Sequence, residues 1–286
     1  MSDTLKYMKN HVVYPTTYSK SVSFVCKQSL LFLLEVFASK KMVSKELIHI
    51  LGTNRKKEYT FTTPFGVFTA NSIDAWRRMY PGYEQEIRDR LHMHHDTRMH
   101  NGKTTCINIW ANIGRWSIEL AKLWYDVISF EPVPHTYDML KKNIQHSQVH
   151  DKVHAYNTAL WNYTWTAIMD TFSFHEWANC IDNVRHAYPD STSTSVEVSV
   201  QKFDDIKDIS PAEKSKTWLL LIDVEYYEYF VLQWMQDFLT NSDVDIFIEI
   251  AEKSLHYHDT IDFLQSCGYS IYEKLWSTNN RHFSKS

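Results

Sequence analysis

The chain has 286 residues, of which 44% are hydrophobic and 22% are charged, a balance typical of globular proteins rather than of disordered or collagen-like ones. Its formal charge of −4 argues against a nucleic-acid partner, because binding to a phosphate backbone calls for a clustered basic surface. The four cysteines lie far apart without a CxxC pair, so they indicate neither a zinc site nor a disulfide framework.

The first hundred residues are predicted to form a helical extension. A mixed apolar and charged pattern from Ser29 to Leu51 predicts one or two helices, and the segment YTFTTPFGVFTA predicts a short hairpin. The most apolar run, Leu30 to Ala38, is too short to span a bilayer and contains Glu35. We therefore expect no transmembrane segment and a cytoplasmic protein, with a membrane-peripheral location left open.

A second pattern begins near Asn101, so we divide the chain into residues 1–100 and 101–286. Short β-rich runs alternate here with helical patterns, which indicates βαβ units and a parallel sheet. The predicted strands are CINIW, VISFEP, KVHAYNTALW, WLLLIDVE, DIFIEIA and YSIYEKLW, and TWTAIMDTF is expected to extend the same sheet. The stretch from His175 to Ser193 has no regular pattern, and Tyr227 to Leu239 is predicted as one helix.

Carboxylates follow several of these strands. In an open parallel sheet, ligands bind beyond the carboxyl ends of the strands. Glu131 has the position of an acid that accepts hydrogen bonds from a ribose diol, and a merely solvated glutamate is the alternative. Asp223 and Glu225 lie two residues apart and therefore on one face, where they suit proton transfer, sugar binding or metal binding. An acid that stabilises the start of the next helix is the structural alternative for both, and Glu249 is similarly ambiguous.

Six motifs follow one another along the second part of the chain: NIWANIG, SFEPVP, LKKNI, TAL, IDVEYYEYFVLQ and IEI. Their order resembles the FkbM family of S-adenosylmethionine-dependent O-methyltransferases, over roughly Tyr83 to Leu275. The resemblance implies an α/β, Rossmann-like class I methyltransferase fold with a mostly parallel seven-stranded sheet. It also implies S-adenosylmethionine as the methyl donor and a hydroxyl acceptor on a sugar or similar metabolite.

The resemblance assigns roles to individual residues. The positions that match cofactor-binding residues of the family are Asn108, Trp110, Ala111, Asn112, Gly114 and Glu131. Asp223 and Glu225 match the family's acidic motif and are the candidate catalytic residues. No metal site is implied.

Large side chains stand where the family has small ones. Asn108 replaces an acid, and Trp110 replaces the glycine over which the cofactor passes. Other positions where glycine is expected hold Trp124, Trp165, Tyr226 and Trp234. An altered relative is therefore the runner-up: a catalytically impaired, non-catalytic binding module that keeps the fold and binds a partner or carbohydrate in an aromatic-lined cleft. A nicotinamide dehydrogenase is the least supported function, because NIWANIG lacks the GxGxxG spacing.

Two groups of histidines are candidate functional sites. The first comprises His92, His94, His95 and His100. It is predicted to lie in a polar loop, where a solvated linker is favoured over a metal site. His256 and His258 follow a strand end, and a surface pair is favoured over a proton acceptor.

Overall fold

The computed structural model describes residues 58–70, 84–161, 165–172, 175–181, 193–224, 226–275 and 279–285. The chain divides into two compact units, Met1–Tyr83 and Glu84–Ser286. The helices predicted between Ser29 and Leu51 lie outside the described residues. The division of the chain at residues 100 and 101 stays a prediction.

The described part of the first unit is a hairpin of β1 (Tyr59–Thr63) and β2 (Gly66–Ala70), which pair antiparallel. The hydroxyl of Thr63 accepts hydrogen bonds from the backbone N–H groups of Phe65 at 3.1 Å and Gly66 at 3.2 Å. These bonds close the turn, and the predicted hairpin is confirmed.

The second unit alternates strands and helices. Its strands are β3 (Thr105–Ile109), β4 (Asp126–Phe130), β5 (Val153–Tyr156), β6 (Ala159–Leu160), β7 (Trp165–Phe172), β8 (His175–Ile181), β9 (Ser193–Gln201), β10 (Thr217–Ile222), β11 (Asp245–Glu249), β12 (Tyr269–Lys274) and β13 (Asn280–Lys285). Its helices are α1 (Gln85–His100), α2 (Arg115–Lys122), α3 (Pro134–His146), α4 (Pro211–Lys216), α5 (Glu228–Gln233), α6 (Gln236–Asn241) and α7 (Tyr257–Ser266).

Seven strands form the main sheet in the order β12-β13-β11-β10-β3-β4-β5. Strand β13 runs antiparallel to both of its neighbours, and the other pairs that the sheet contains are parallel. Strands β3 and β10 are buried along their whole length, because a parallel sheet with helices on both faces needs near-continuous apolar runs. This is the expected α/β fold with a mostly parallel seven-stranded sheet, and the predicted fold class is confirmed.

A second sheet of four strands has the order β6-β9-β7-β8. The prediction of KVHAYNTALW as one strand was wrong, because it divides into β5 in the main sheet and β6 in the second. Asn157 lies at the division, where its side-chain amide donates to the carbonyls of Glu131 and Pro132, both at 2.9 Å. The prediction that TWTAIMDTF extends the main sheet was also wrong, and β8 lies in the stretch predicted to be irregular. Alternation predicts a strand, but it does not say which sheet the strand joins.

Two helices also differ from prediction. Helix α1 runs to His100, so the first group of histidines lies on a helix and not in a polar loop. The helix predicted from Tyr227 to Leu239 divides into α5 and α6 at Trp234 and Met235. Within the described ranges, we find no helix with the length and apolar character needed to cross a membrane.

Candidate functional site

The loop between β3 and α2 makes a tight turn. Trp110, Asn112 and Gly114 have φ angles of 72°, 52° and 96°, all in the left-handed region. A Cβ atom at residue 114 would lie 2.5 Å from the Cδ1 atom of Leu140, so this position requires glycine for its space as well as for its backbone. The N–H of Ala111 donates to the carbonyl of Phe130 at 2.7 Å, which fixes the loop to the end of β4.

Glu131 links this loop to the segment after β4. Its side chain is buried, with 1% exposure. Oε2 accepts a hydrogen bond from the N–H of Asn112 at 2.9 Å, and Oε1 accepts one from the N–H of Val133 at 3.0 Å. A carboxylate has about four lone-pair sites, so two remain after these bonds. The carboxyl is thus built into the loop and keeps capacity for a further ligand.

The environment of Glu131 favours its neutral form. Burial raises the pKa of Glu131 to about 8, although the hydrogen bonds from Val133 and Asn112 act to lower it. Desolvation disfavours the charged form of a carboxyl, and here it outweighs two N–H donors. Near neutral pH the carboxyl therefore exists in both protonation states, and the protonated state offers an O–H donor.

Asn108 lies beneath the loop. It is buried, and its Nδ2 donates to the hydroxyl of Ser117 at 2.9 Å, while the hydroxyl of Ser129 donates to the same oxygen at 2.8 Å. The amide therefore ties β3 to α2 and β4 through a buried network. Direct contact between Asn108 and a cofactor stays a prediction.

Trp110 lies at the carboxyl end of β3 and lines a small cavity. The cavity has a volume of about 10 Å³, close to the minimum of about 10 to 15 Å³ that holds one water molecule. Its walls also include Pro132, Thr158, Trp161, Val224 and Tyr227. The indole packs against the core of the main sheet and against the cluster under the second sheet. Among the described residues, its buried Nε1 has no hydrogen-bond partner.

Aromatic rings fill the space beside this cavity. The ring of Trp161 lies 4.6 Å from that of Trp234 and 5.4 Å from that of Tyr227, measured between centroids. Farther out, His256 stacks on Tyr229 with centroids 5.3 Å apart, and its Nδ1 lies 2.8 Å from an oxygen of Asp259. The cleft beyond β3 and β10 is therefore lined by rings.

Asp223 is exposed directly after β10. Because Ile222 and Ile109 are paired in adjacent parallel strands, Asp223 follows its strand beside the loop that begins at Trp110. Glu225, the second candidate acid, lies outside the described residues. Tyr226 has a φ of 78°, and its N–H donates to Oε1 of Glu228 at 2.9 Å.

Two ion pairs that join α2 to α1 and to the residue before α1 were not predicted from sequence. Arg88 donates to Oε1 of Glu119 at 2.5 Å and to Oε2 at 3.0 Å, and Arg115 donates to Glu84 at 2.7 Å. Burial acts to raise the pKa of Glu119, but hydrogen bonds from His92 and Arg88 bring it below its ordinary value. Each pair joins residues 31 positions apart, so no local spacing could have indicated them.

Two histidines of α1, His92 and His95, contact residues of the second unit's core. Nδ1 of His95 lies 2.9 Å from the hydroxyl of Tyr125, and Nε2 of His92 lies 3.8 Å from Glu119. Across the described ranges, no group of three or more histidine, cysteine, aspartate or glutamate residues is arranged to hold a metal ion.

The sequence pattern of the methyltransferase FkbM domain matches residues 108–271. The chain belongs to this family. The match includes the loop after β3, Glu131 and Asp223. Comparison with curated protein sequences gave no match.

Solved structures with a similar arrangement are methyltransferases of low sequence identity. A methyltransferase FkbM from Methylobacillus flagellatus KT is 13% identical with a TM-score of 0.45, and the alignment covers 64% of this chain and 44% of that one. The chain thus spans less than half of that relative. Magnesium protoporphyrin IX methyltransferase from Synechocystis PCC 6803, with bound SAM, is 13% identical over 74% of this chain and 90% of that one, with a TM-score of 0.41. TYW2 from P. horikoshii, in complex with MeSAdo, is 11% identical over 79% of this chain and 69% of that one, with a TM-score of 0.38.

Proposed function

We propose that this chain is an S-adenosylmethionine-dependent O-methyltransferase that acts on a hydroxyl of a sugar or similar metabolite. Membership of the FkbM family supports the class of reaction. The observation that carries the proposal is the buried carboxyl of Glu131, which directly follows β4 and holds the loop after β3 through Asn112. An acid in this position suits the ribose of a nucleoside-type cofactor.

The residues present fit this donor in part. Glu131 has two lone-pair sites left for ribose hydroxyls, and the turn from Ala111 to Gly114 offers backbone groups near the same strand end. The indole of Trp110 does not fit this donor, because it occupies part of the crevice and lines the cavity of only about 10 Å³ that is left. S-adenosylmethionine, when bound, supplies an electrophilic methyl group on a sulfonium.

Asp223 is proposed to act on the acceptor. It is exposed at the end of β10, beside the donor loop. Its carboxylate would orient the acceptor hydroxyl and take its proton, since a positioned acid of this kind is a common general base. Glu225 is proposed to assist it.

A second candidate is a catalytically impaired binding module of the same fold. The filled cleft favours it, since Trp110, Trp161 and Tyr227 leave so little space between them. Such a module would use the rings to hold a partner or a carbohydrate.

Calorimetric titration with S-adenosylmethionine and S-adenosylhomocysteine distinguishes the two candidates. Micromolar binding supports the enzyme, and its absence supports the module. If binding occurs, Glu131→Ala should weaken it about five- to a hundredfold, because two hydrogen bonds to a largely neutral carboxyl contribute about 1 to 3 kcal/mol together. Glu252→Ala, at an exposed carboxyl, is the control and should leave the affinity unchanged. Equal affinities in all three proteins would remove Glu131 from the site.

A further inference from the structure

Trp110 is poorly suited to the place that it occupies. Its φ of 72° lies in the left-handed region, where a bulky residue is a genuine outlier. Within the described part of the chain, its buried indole N–H has no partner, although buried tryptophan N–H groups usually find one. The backbone of residue 110 thus disagrees with a tryptophan side chain.

Trp124 disagrees with its surroundings in another way. The N–H of Trp124 donates to the carbonyl of Ala121 at 3.0 Å, and that of Tyr125 donates to Leu120 at 3.3 Å. This pair of bonds is the Schellman motif that ends a helix, and its left-handed residue is usually glycine. Trp124 is that residue, with a φ of 71° and 72% exposure. Gly268, with a φ of 89°, occupies the equivalent place after α7.

Trp165, at the start of β7, is also 72% exposed. Trp218 shows the contrast, since it is fully buried and its ring lies 5.2 Å from that of Tyr125. Large apolar side chains that fit a fold are packed in this second manner. Trp110 and Trp124 therefore stand at left-handed positions that suit glycine, and Trp124 and Trp165 leave their indoles exposed.

The composition points in the same direction. The chain has 6 glycines and 10 tryptophans, whereas average usage of about 7% predicts about 20 glycines. Glycine is scarce, and of the six non-glycine residues with a left-handed φ in the described part of the chain, two are tryptophans. One codon connects the two amino acids: UGA is a stop codon in most cells, tryptophan in some and glycine in others.

We propose that residues 110, 124 and 165 are glycines in the protein as its own cell makes it, each encoded by a UGA codon that this cell reads as glycine. Four further residues have a left-handed φ, namely Glu84, Asn112, Gln148 and Tyr226, but the proposal concerns tryptophans alone, so they lie outside it. Glycine at residue 110 removes the indole from the crevice and lets the backbone approach a ligand. This removes the disagreement between Trp110 and the donor, although the inference itself does not depend on methyltransferase activity.

The direct test reads the gene and the natural protein. We expect UGA at codons 110, 124 and 165. Tryptic peptides of the protein from its native cells, Thr104–Arg115 and Leu123–Lys141, should each have the mass of the glycine form. UGG codons at these positions, or peptides with the mass of tryptophan, would overturn the proposal.

Recombinant variants test the physical argument. Relief of left-handed strain should raise the Tm of Trp124→Gly by about 2 to 8 °C, and Trp124→Ala should gain less because alanine keeps a Cβ. Trp218→Gly is the matched control and should lower the Tm, since it removes a packed ring. A Tm of Trp124→Gly at or below that of the parent would count against the proposal.

Ligand binding separates this inference from the proposed function. Trp110→Gly should bind S-adenosylhomocysteine at least about tenfold more tightly than the parent chain. The native peptides could have the glycine mass while Trp110→Gly binds no ligand. That result would support the decoding proposal and refute the methyltransferase proposal. Binding that weakens in Trp110→Gly would show that the indole belongs to the ligand site, and would overturn the glycine assignment at residue 110.

Discussion

Replacement of Glu131 by glutamine separates the charge of the carboxyl from its hydrogen bonds. Glutamine has nearly the same shape, stays neutral and keeps one oxygen acceptor. Its NH2 group must then face either the N–H of Asn112 or that of Val133, both of which donate to the carboxyl in the parent chain. One buried donor loses its partner, which costs about 1 to 3 kcal/mol.

The parent chain should lose stability as the pH rises. The pKa of Glu131 is about 8 in the folded chain against an ordinary value of 4.5. Between these two values the folded state holds a proton that the unfolded state has released, so the free energy of unfolding falls with increasing pH. A difference of one in pKa corresponds to about 1.4 kcal/mol, so the loss over this interval amounts to about 5 kcal/mol. Above pH 8 this contribution no longer changes.

Urea unfolding at intervals from pH 5 to pH 8.5 measures the effect. At pH 5 the parent chain should be more stable than Glu131→Gln by the lost hydrogen bond. The two stability curves should cross between about pH 5 and pH 7, after which the variant is the more stable protein. Glu252→Gln, at an exposed carboxyl, is the control and should show no such crossing. Parallel curves for the parent and Glu131→Gln would refute the reasoning, because they would mean that the two N–H donors keep Glu131 charged.

Three further predictions concern the loop and the residues around it. Gly114→Ala should destabilise the chain by at least about 1 to 2 kcal/mol. The loss of stability should be larger than that of Gly102→Ala, whose new Cβ meets no atom within 4 Å. Equal losses in urea unfolding would show that Leu140 moves aside freely. Arg88→Ala should cost about 3 to 5 kcal/mol, since it leaves Glu119 buried without its main partner, and a loss below 1 kcal/mol in the same assay would contradict this. Asp223→Asn should slow methyl transfer while the affinity for S-adenosylhomocysteine holds, and a parallel fall in affinity would make Asp223 a donor-binding residue.

The parts of the fold that could be predicted are those where a single physical requirement, burial, determines the sequence pattern. Strands β3, β4, β10 and β11 are nearly continuous apolar runs because both faces of the sheet are covered. The prediction that the first strand includes Trp110 was wrong by one residue, since a left-handed φ takes that residue out of the strand.

Strand β13 was missed because its sequence, NRHFSK, has the composition of a polar loop. Arg281 and His282 are nevertheless both buried, at 1% exposure. His282 lies 3.1 Å from Asp245 and stacks on Phe247 with centroids 4.3 Å apart. Partners from β11 make this burial favourable, and they are 35 or more positions away in sequence. Periodicity cannot detect a core position of this kind.

The resemblance to the family was a better guide to the loops than periodicity. It led us to expect glycine at residue 124, and the φ of 71° there lies in the left-handed region that glycine favours. Trp234 was also expected to replace a glycine, but its φ of −84° is right-handed, so its backbone does not require one. The small size of the cavity beside Trp110 could not be predicted, because it depends on how rings from four separate segments pack together.

Glu131 has two tasks under the proposed function, and this affects how its variants are interpreted. Its two bonds to N–H groups hold the loop, and its two remaining lone-pair sites would hold the ribose. Glu131→Ala removes both, so weaker binding alone does not say which was lost. Glu131→Gln keeps an oxygen for one partner of each kind, so it should lose less affinity than Glu131→Ala. If the two variants lost equal affinity while Glu131→Gln kept its stability at pH 8, the charge of the carboxylate, and not the order of the loop, would be what holds the donor.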